Sequence, residues 1–281
     1  MQDAFAYCAE LVRTADRDRF LSSLFAPAEH RAALHALYAF NVEVARVREV
    51  AREPLPGEIR LQWWSEVING ERADEAAANP VASALLTVIE RHRLALPALT
   101  ALLDARRFDL YDDPMARPAD LEAYGRKTSS ALLALAAQIL AGGDGEVMET
   151  TAAPAGIAYA IAGLLRAFPL HAARRQLYVP LELLEHHGVE QQDIFAGRSS
   201  KNLSAAFGEL QNVARRHLLA AHQQIATLPD AALPAFLPVA LVRPSLERLA
   251  RCDPFAPAEL SPWRRQWLIW RAARNPARIA G

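Results

Sequence analysis

The chain lacks most of what would cross-link a fold, anchor it in a bilayer or bind it to a metal. Its 281 residues include two cysteines, Cys8 and Cys252. Neither has a CxxC neighbour or a histidine at ligand spacing, so the motifs indicate neither a disulfide framework nor a zinc site. Each reads as a small packed apolar residue. The eight histidines show no HxxxH or HExxH spacing, and His186-His187 beside Gly188 looks like a helix end, so no metal ligand is assigned. No apolar run approaches ~18 residues, so nothing is expected to span a membrane. The opening MQDAFAYCAELVRTADRDRF carries acids early and has no apolar core before a small-residue cleavage site, so no signal peptide is expected. A cytoplasmic protein follows, one that could still touch the inner face of the cytoplasmic membrane. Charge excess is absent too. A net charge of −1 and a pI near 6.7 give no global attraction for nucleic acid or anionic membrane, so nucleic acid is not expected as a partner. Lysine is reduced to Lys127 and Lys201.

What is present favours helix. Hydrophobic residues make up 52%, and alanine, leucine and arginine dominate where a sheet would need runs of valine, isoleucine, threonine and tyrosine. No linker rich in glycine, serine or proline divides the chain, so residues 1–281 read as one all-α domain. Apolar spacing predicts helices over 3–20, 27–52 and 57–70, and then over 80–92, 97–107 and 118–140. Each of the last three starts with a proline, where a missing N–H is harmless. The nearly uncharged run over 146–168 predicts the most buried helix of the bundle, ended or kinked by Pro169. Further helices are expected over 204–227 and 231–251 and after Pro262. A bundle whose buried helices need neighbours on every side should enclose a central apolar cavity.

Residues 37–64, LYAFNVEVARVREVAREPLPGEIRLQWW, are the most telling stretch. Together with Arg31 they resemble the squalene/phytoene synthase family, in which a helix entered through an R…LYAF segment carries aspartates one turn apart. The resemblance implies an isoprenoid-synthase bundle. It also implies two acidic clusters on facing helices holding the Mg²⁺ ions that neutralise a diphosphate leaving group. Here the first acidic positions fall on Ala45 and Glu49, with Arg46 where a second aspartate commonly sits. The second cluster maps onto LLRAFPLHAARRQLYVP, residues 164–180, and its acidic positions fall on Ala167, Leu170 and His171. A lone carboxylate beside a guanidinium is a poor Mg²⁺ site, since hard cations want several oxygen ligands. The expectation is therefore a synthase scaffold without synthase chemistry and without a cofactor, and Glu49 is the residual catalytic candidate.

The strips Phe108-Asp109-Leu110-Tyr111 and Leu121-Glu122-Ala123-Tyr124 narrow the resemblance to a branch whose members assist assembly of respiratory complex I. That branch implies a respiratory-complex subunit or assembly protein as partner, with an isoprenoid or quinone-like lipid as ligand. The alternative is an active Mg²⁺-dependent prenyltransferase joining two prenyl diphosphates through Glu43, Glu49 and the acids of 109–113. Against it, Pro114 follows the DxxDD string at once, which places those acids at a helix end.

Several residues are candidates for lining a cavity or holding a ligand. Glu43, Arg46 and Glu49 form an i, i+3, i+6 ladder, in which Arg46 would convert a cation site into something else. Arg31, Arg60, Arg174 and Arg175 either hold a diphosphate or only aid solubility. Arg166, His171 and Tyr178 belong to the degraded second strip, and Tyr38 to the entry motif. Trp63 and Trp64 are adjacent and point apart, so that one packs in the core; Trp64 is the candidate for the cavity. Over 262–281, Trp263, Trp267 and Trp270 recur at i, i+4, i+7 among arginines, as in a terminal amphipathic helix. Such a face either lies in a lipid headgroup layer or docks on the bundle.

Overall fold

In the computed structural model, which describes residues 2–51, 53–142 and 145–281, every regular element among the described residues is a helix and none is a strand. Prolines, charged joints and one π-turn decide where helices stop. Helix α1 (Gln2–Ala15) gives way to α2 (Arg17–Ser23) at Asp16, whose side chain caps the second helix by accepting from the Arg19 N–H. The expected single helix over 3–20 is thus two, because a cap at Asp16 satisfies the orphan donors of a new start. Helix α3 (Ala28–Ala45) stops at Arg46 and is followed by the single turn α4 (Val47–Val50). Pro54 then opens α5 (Pro54–Ile68), and α6 (Ala73–Ala78), α7 (Pro80–His92) and α8 (Leu96–Arg107) follow on short connections.

The helix expected over 118–140 is interrupted. Helix α9 (Pro118–Gly125) passes through a π-turn at Arg126–Ser130 before α10 (Ala131–Ala141). Helix α11 (Gly145–Arg166) is the buried run the composition predicts, and it breaks at Ala167, two residues before Pro169. A proline clashes with the carbonyl four residues earlier and donates nothing, which accounts for the break. Next come α12 (Phe168–Ala173), α13 (Leu181–His186), α14 (Gln191–Phe195) and the long α15 (Lys201–Ile225). The stretch expected as one helix over 231–251 is instead α16 (Leu233–Phe236), a 3-10 segment and α17 (Val242–Leu249), divided by Pro234, Pro238 and Pro244. The last helix is α18 (Pro262–Arg274).

Helix α11 is the hub. It packs against α15, α10, α9, α17 and the π-turn, while α1, α3 and α7 form a neighbouring layer joined to it through α10. Its inward residues are small or β-branched, with Ala152, Ala155, Ile157, Ala158 and Ile161 all buried, and small residues let backbones approach closely. At Gly156 the approach is extreme. A Cβ there would lie 2.3 Å from the Cα and N of Ser130, and Ser130 Oγ donates to the Ala153 carbonyl at 2.8 Å. No helix among the described residues is long and apolar enough to cross a membrane.

Candidate functional site

Where α3 and α11 end beside the α1–α2 joint, a cleft of about 420 Å³ opens. In place of the expected central apolar cavity stands this open cleft with a mixed lining. Val42, Leu132, Ala160 and Leu164 form the apolar wall, and the charged part comes from Arg17, Arg19, Arg46, Arg106, Arg166 and Arg265 against only Asp16 and Asp18. Helix ends cause this, since the side chains reaching the cleft come from joints and termini, where the apolar periodicity has lapsed.

Both aspartates are already engaged. Arg19 Nη1 donates to Asp16 at 2.5 Å, with its guanidinium 5.1 Å from the Tyr159 ring and 5.8 Å from the Tyr38 ring. Asp18 accepts two bonds from Arg265, the Nε one at 2.9 Å, which ties the last helix to the second. The buried Nε atoms of Arg19 and Arg106 have no hydrogen-bond acceptor. The cleft thus holds a surplus of guanidinium and two unused N–H donors, the complement of an anion.

The positions marked by motif lie here. Ala45, Arg46, Ala167 and His171 line the cleft, whereas Leu170 is exposed outside it. Burial depresses the His171 imidazole to about 4, against a partial upward pull from Asp109, so it lines the cleft as a neutral ring tilted against Tyr178, with ring centroids 4.7 Å apart. Glu49 stands beside the cleft and accepts from Arg46 Nε at 3.0 Å and Arg174 Nη1 at 3.3 Å. Partial burial opposes its ionisation, but these two arginines outweigh that and hold the carboxyl below its ordinary value. Glu43 accepts from Arg60 at 3.0 Å, and neither residue reaches the cleft wall.

Five other candidates have different places. Arg31 donates to the carbonyls of Ala26 and Leu24 at 2.9 and 3.0 Å, bracing the turn before α3. Tyr38 is buried behind the cleft wall. Trp64 lies in the core edge-on to Phe40 at 5.0 Å, and its neighbour Trp63 is the half-buried one, donating to Glu75 at 2.8 Å. Facing positions on a helix explain the exchange, since Trp64 falls in register with buried Leu61 and Ile68. Arg175 adopts φ 59° and stacks over Phe195 at 4.7 Å. Tyr178 is buried and donates to Asp109.

Asp109 is the centre of a network that the motif string hides. It accepts from Tyr178 at 2.7 Å, Tyr124 at 2.8 Å and Arg106 at 3.1 Å, while its carbonyl accepts from Gln176 at 2.9 Å. Burial first, and then the Asp109 charge, push the Tyr178 hydroxyl well up, so it remains a donor. Of the other acids in the string, Asp112 pairs with Arg48 at 2.8 Å. The cleft residues that motif reasoning missed are Asp16, Asp18, Arg19, Arg106, Tyr159 and Arg265. For Asp16, Asp18 and Arg19 the signal was the dense charge of TADRDRF between two apolar helices, while Arg106, Tyr159 and Arg265 reach the cleft from distant helices. On α18 the three tryptophans face outward, with Trp263, Trp267 and Trp270 exposed by 82%, 50% and 49%, while Ile269 and Ala272 make the buried contact.

Comparison with known proteins gives a consistent picture. The family model for squalene/phytoene synthase matches residues 12–271. The chain is similar to human NADH dehydrogenase (ubiquinone) complex I, assembly factor 6, at 34% identity over 247 residues, 88% of this chain and 74% of that one. It is also similar to a phytoene synthase from Thermus thermophilus, at 29% identity over 201 residues, 70% of this chain and 66% of that one. Among solved structures, a dehydrosqualene synthase superimposes with a TM-score of 0.83 at 16% identity, covering 96% of this chain and 95% of that one, a likeness of fold.

Proposed function

The chain belongs to the squalene/phytoene synthase family, and from that premise we propose that it is a member without synthase chemistry. It has lost both acidic Mg²⁺ motifs and acts in the assembly of a respiratory complex, holding an anionic isoprenoid or quinone-like lipid in its cleft. The reading fits the relatives named as complex I assembly factors. The observation that carries it is the inversion of charge around the cleft. Where ionising a diphosphate needs clustered free carboxylates for divalent ions, this chain offers six arginines, and four of the acids the alternative requires have a guanidinium partner: Glu43 with Arg60, Glu49 with Arg46 and Arg174, Asp109 with Arg106, Asp112 with Arg48. A cation entering there would have to displace those arginines and meet their repulsion.

The outward tryptophans of α18, with Arg264, Arg271 and Arg274 and no acid on the helix, support peripheral contact with an anionic bilayer surface. The deciding experiment for chemistry is incubation of the purified chain with farnesyl or geranylgeranyl diphosphate and Mg²⁺. No product above a Glu49→Gln control is expected, and turnover that the control lacks would establish the prenyltransferase instead. Extraction of lipid from protein purified from its native host, followed by mass spectrometry, tests the ligand. An isoprenoid or quinone-like species at near one per chain is expected, and a lipid-free protein would remove that part of the reading.

A further inference from the structure

On the face formed by α13 and α15, three ligand-type side chains converge from two elements far apart in sequence. His186 ends α13, His187 follows as its cap residue, and Glu209 projects from α15. Their donor atoms all lie within 4.8 Å of one another. His187 Nε2 is already 3.0 Å from Glu209 Oε1, and the two imidazole rings stand at 84° with centroids 5.1 Å apart. From this geometry we propose a surface site for a zinc-type divalent ion, with His186, His187 and Glu209 as three ligands and water as the fourth. The reading from sequence assigned no metal here, because the carboxylate is 22 positions beyond His187 and no short spacing announces it.

The donor set fits the ion. Two imidazoles with one carboxylate suit a borderline cation, which takes four ligands in a tetrahedron. With bonds of about 2.0–2.1 Å, neighbouring ligand atoms in a tetrahedron lie about 3.3 Å apart. The His187–Glu209 pair is within a few tenths of that spacing, and the exposed His186 and Glu209 side chains can close the remaining distance by rotating. Two perpendicular rings approach a common point from different directions, as a tetrahedron requires. Binding involves no redox step. Each neutral imidazole binds through the ring nitrogen that faces the ion and carries its proton on the other, and Glu209 supplies a carboxylate oxygen.

Such a site would act as a clip. It joins the end of α13 to the middle of α15, fixing both ends of a connection that turns at Gly188 and Gly197, both at positive φ. An ion bound only when the two helices are assembled stabilises that arrangement by mass action. The experiment uses the full chain freed of metal, titrated with Zn²⁺ by calorimetry and with Co²⁺ by visible absorption. One ion per chain, intense tetrahedral Co²⁺ bands and a rise in melting temperature on adding Zn²⁺ are expected. Outer-sphere partners alone are worth about 10–100-fold in metal affinity, so His187→Ala and Glu209→Gln should each weaken binding at least tenfold. The unliganded melting temperature of Glu209→Gln should stay close to that of the parent, because that side chain is half-exposed, while the partly buried His187 makes Glu209→Gln the cleaner of the two variants. The double variant His30→Ala with His92→Ala serves as control, since those rings lie 5.9 Å apart on another face and should leave binding unchanged. Undiminished binding in Glu209→Gln, loss in the control, or no saturable Zn²⁺ binding at all would each overturn the proposal.

Discussion

Replacing Asp109 by alanine should be among the most damaging single changes outside the apolar core. The carboxylate is 9% exposed and its partner Arg106 is 16% exposed, so solvent can do little to compensate either charge once the other has gone. Deleting one member of a buried ion pair leaves a desolvated charge behind, a loss of about 3–5 kcal/mol, and the hydroxyls of Tyr124 and Tyr178 lose their acceptor at the same time. In a chain of this size each kcal/mol lowers the melting temperature by about 2–4 °C, which gives a drop of roughly 6–20 °C. Asp109→Asn keeps the shape and one acceptor oxygen, so it should lie between, losing about 1.5–3 kcal/mol for the charge-assisted bonds. Chemical denaturation followed by circular dichroism measures both. The physical cause has its own control. If the unpaired guanidinium is what hurts, Arg106→Met combined with Asp109→Ala should recover part of the loss. A single variant within about 1 kcal/mol of the parent, or a double variant as unstable as the single, would refute the assignment of Asp109 as a structural hub. It would also reopen the alternative in which this acid is a metal ligand.

Other consequences can be measured on the same protein. Gly156→Ala sets a methyl against the backbone of Ser130, which cannot swing away as a side chain would; a loss at or above the upper end of about 1–3 kcal/mol is expected in denaturation, and parental stability would mean that α11 and the π-turn are not in contact. The folded-state value of His171 is depressed from 6.5 to about 4, so native protein binds fewer protons than unfolded protein between those limits. Its contribution to stability is complete above about 6.5 and is lost as pH falls towards about 4. An NMR titration of the ring should show it neutral at pH 6, and a midpoint near 6.5 would contradict its burial. Glu49→Gln should change stability by less than about 1 kcal/mol, since both of its arginine partners are half-exposed. Replacing Trp263, Trp267 and Trp270 together by alanine should abolish flotation with anionic vesicles, and flotation equal to the parent would discard the contact.

The helices were largely legible because their punctuation is local. Pro54, Pro80 and Pro118 mark starts that chemistry enforces within one turn, and the alanine-rich run of α11 could only be a buried helix. The break in the Arg126–Ser130 π-turn was not legible, because it depends on what the chain meets elsewhere, a turn packed against Gly156; the break at Asp16 rests on a cap only three residues from Arg19 and was hidden by apolar spacing that runs on through it. The site divides in the same way. Ala45, Arg46, Ala167 and His171 could be placed in the cleft because a spaced motif fixes them on known helix faces. The pairing of Asp18 with Arg265 spans 247 positions and that of Asp109 with Tyr178 spans 69, distances at which no periodicity carries information. Long-range pairing also accounts for the fate of the acids. Arg46 and Arg106 stand three residues from Glu49 and Asp109, within reach of a local reading, but only the fold reveals that Arg48 reaches Asp112 across 64 positions and Arg174 reaches Glu49 across 125. A charge counted from sequence is an upper bound on the charge available to a ligand. In this molecule the arginines paired with Glu49 and Asp112 take up charge that a bare count would leave to a cation.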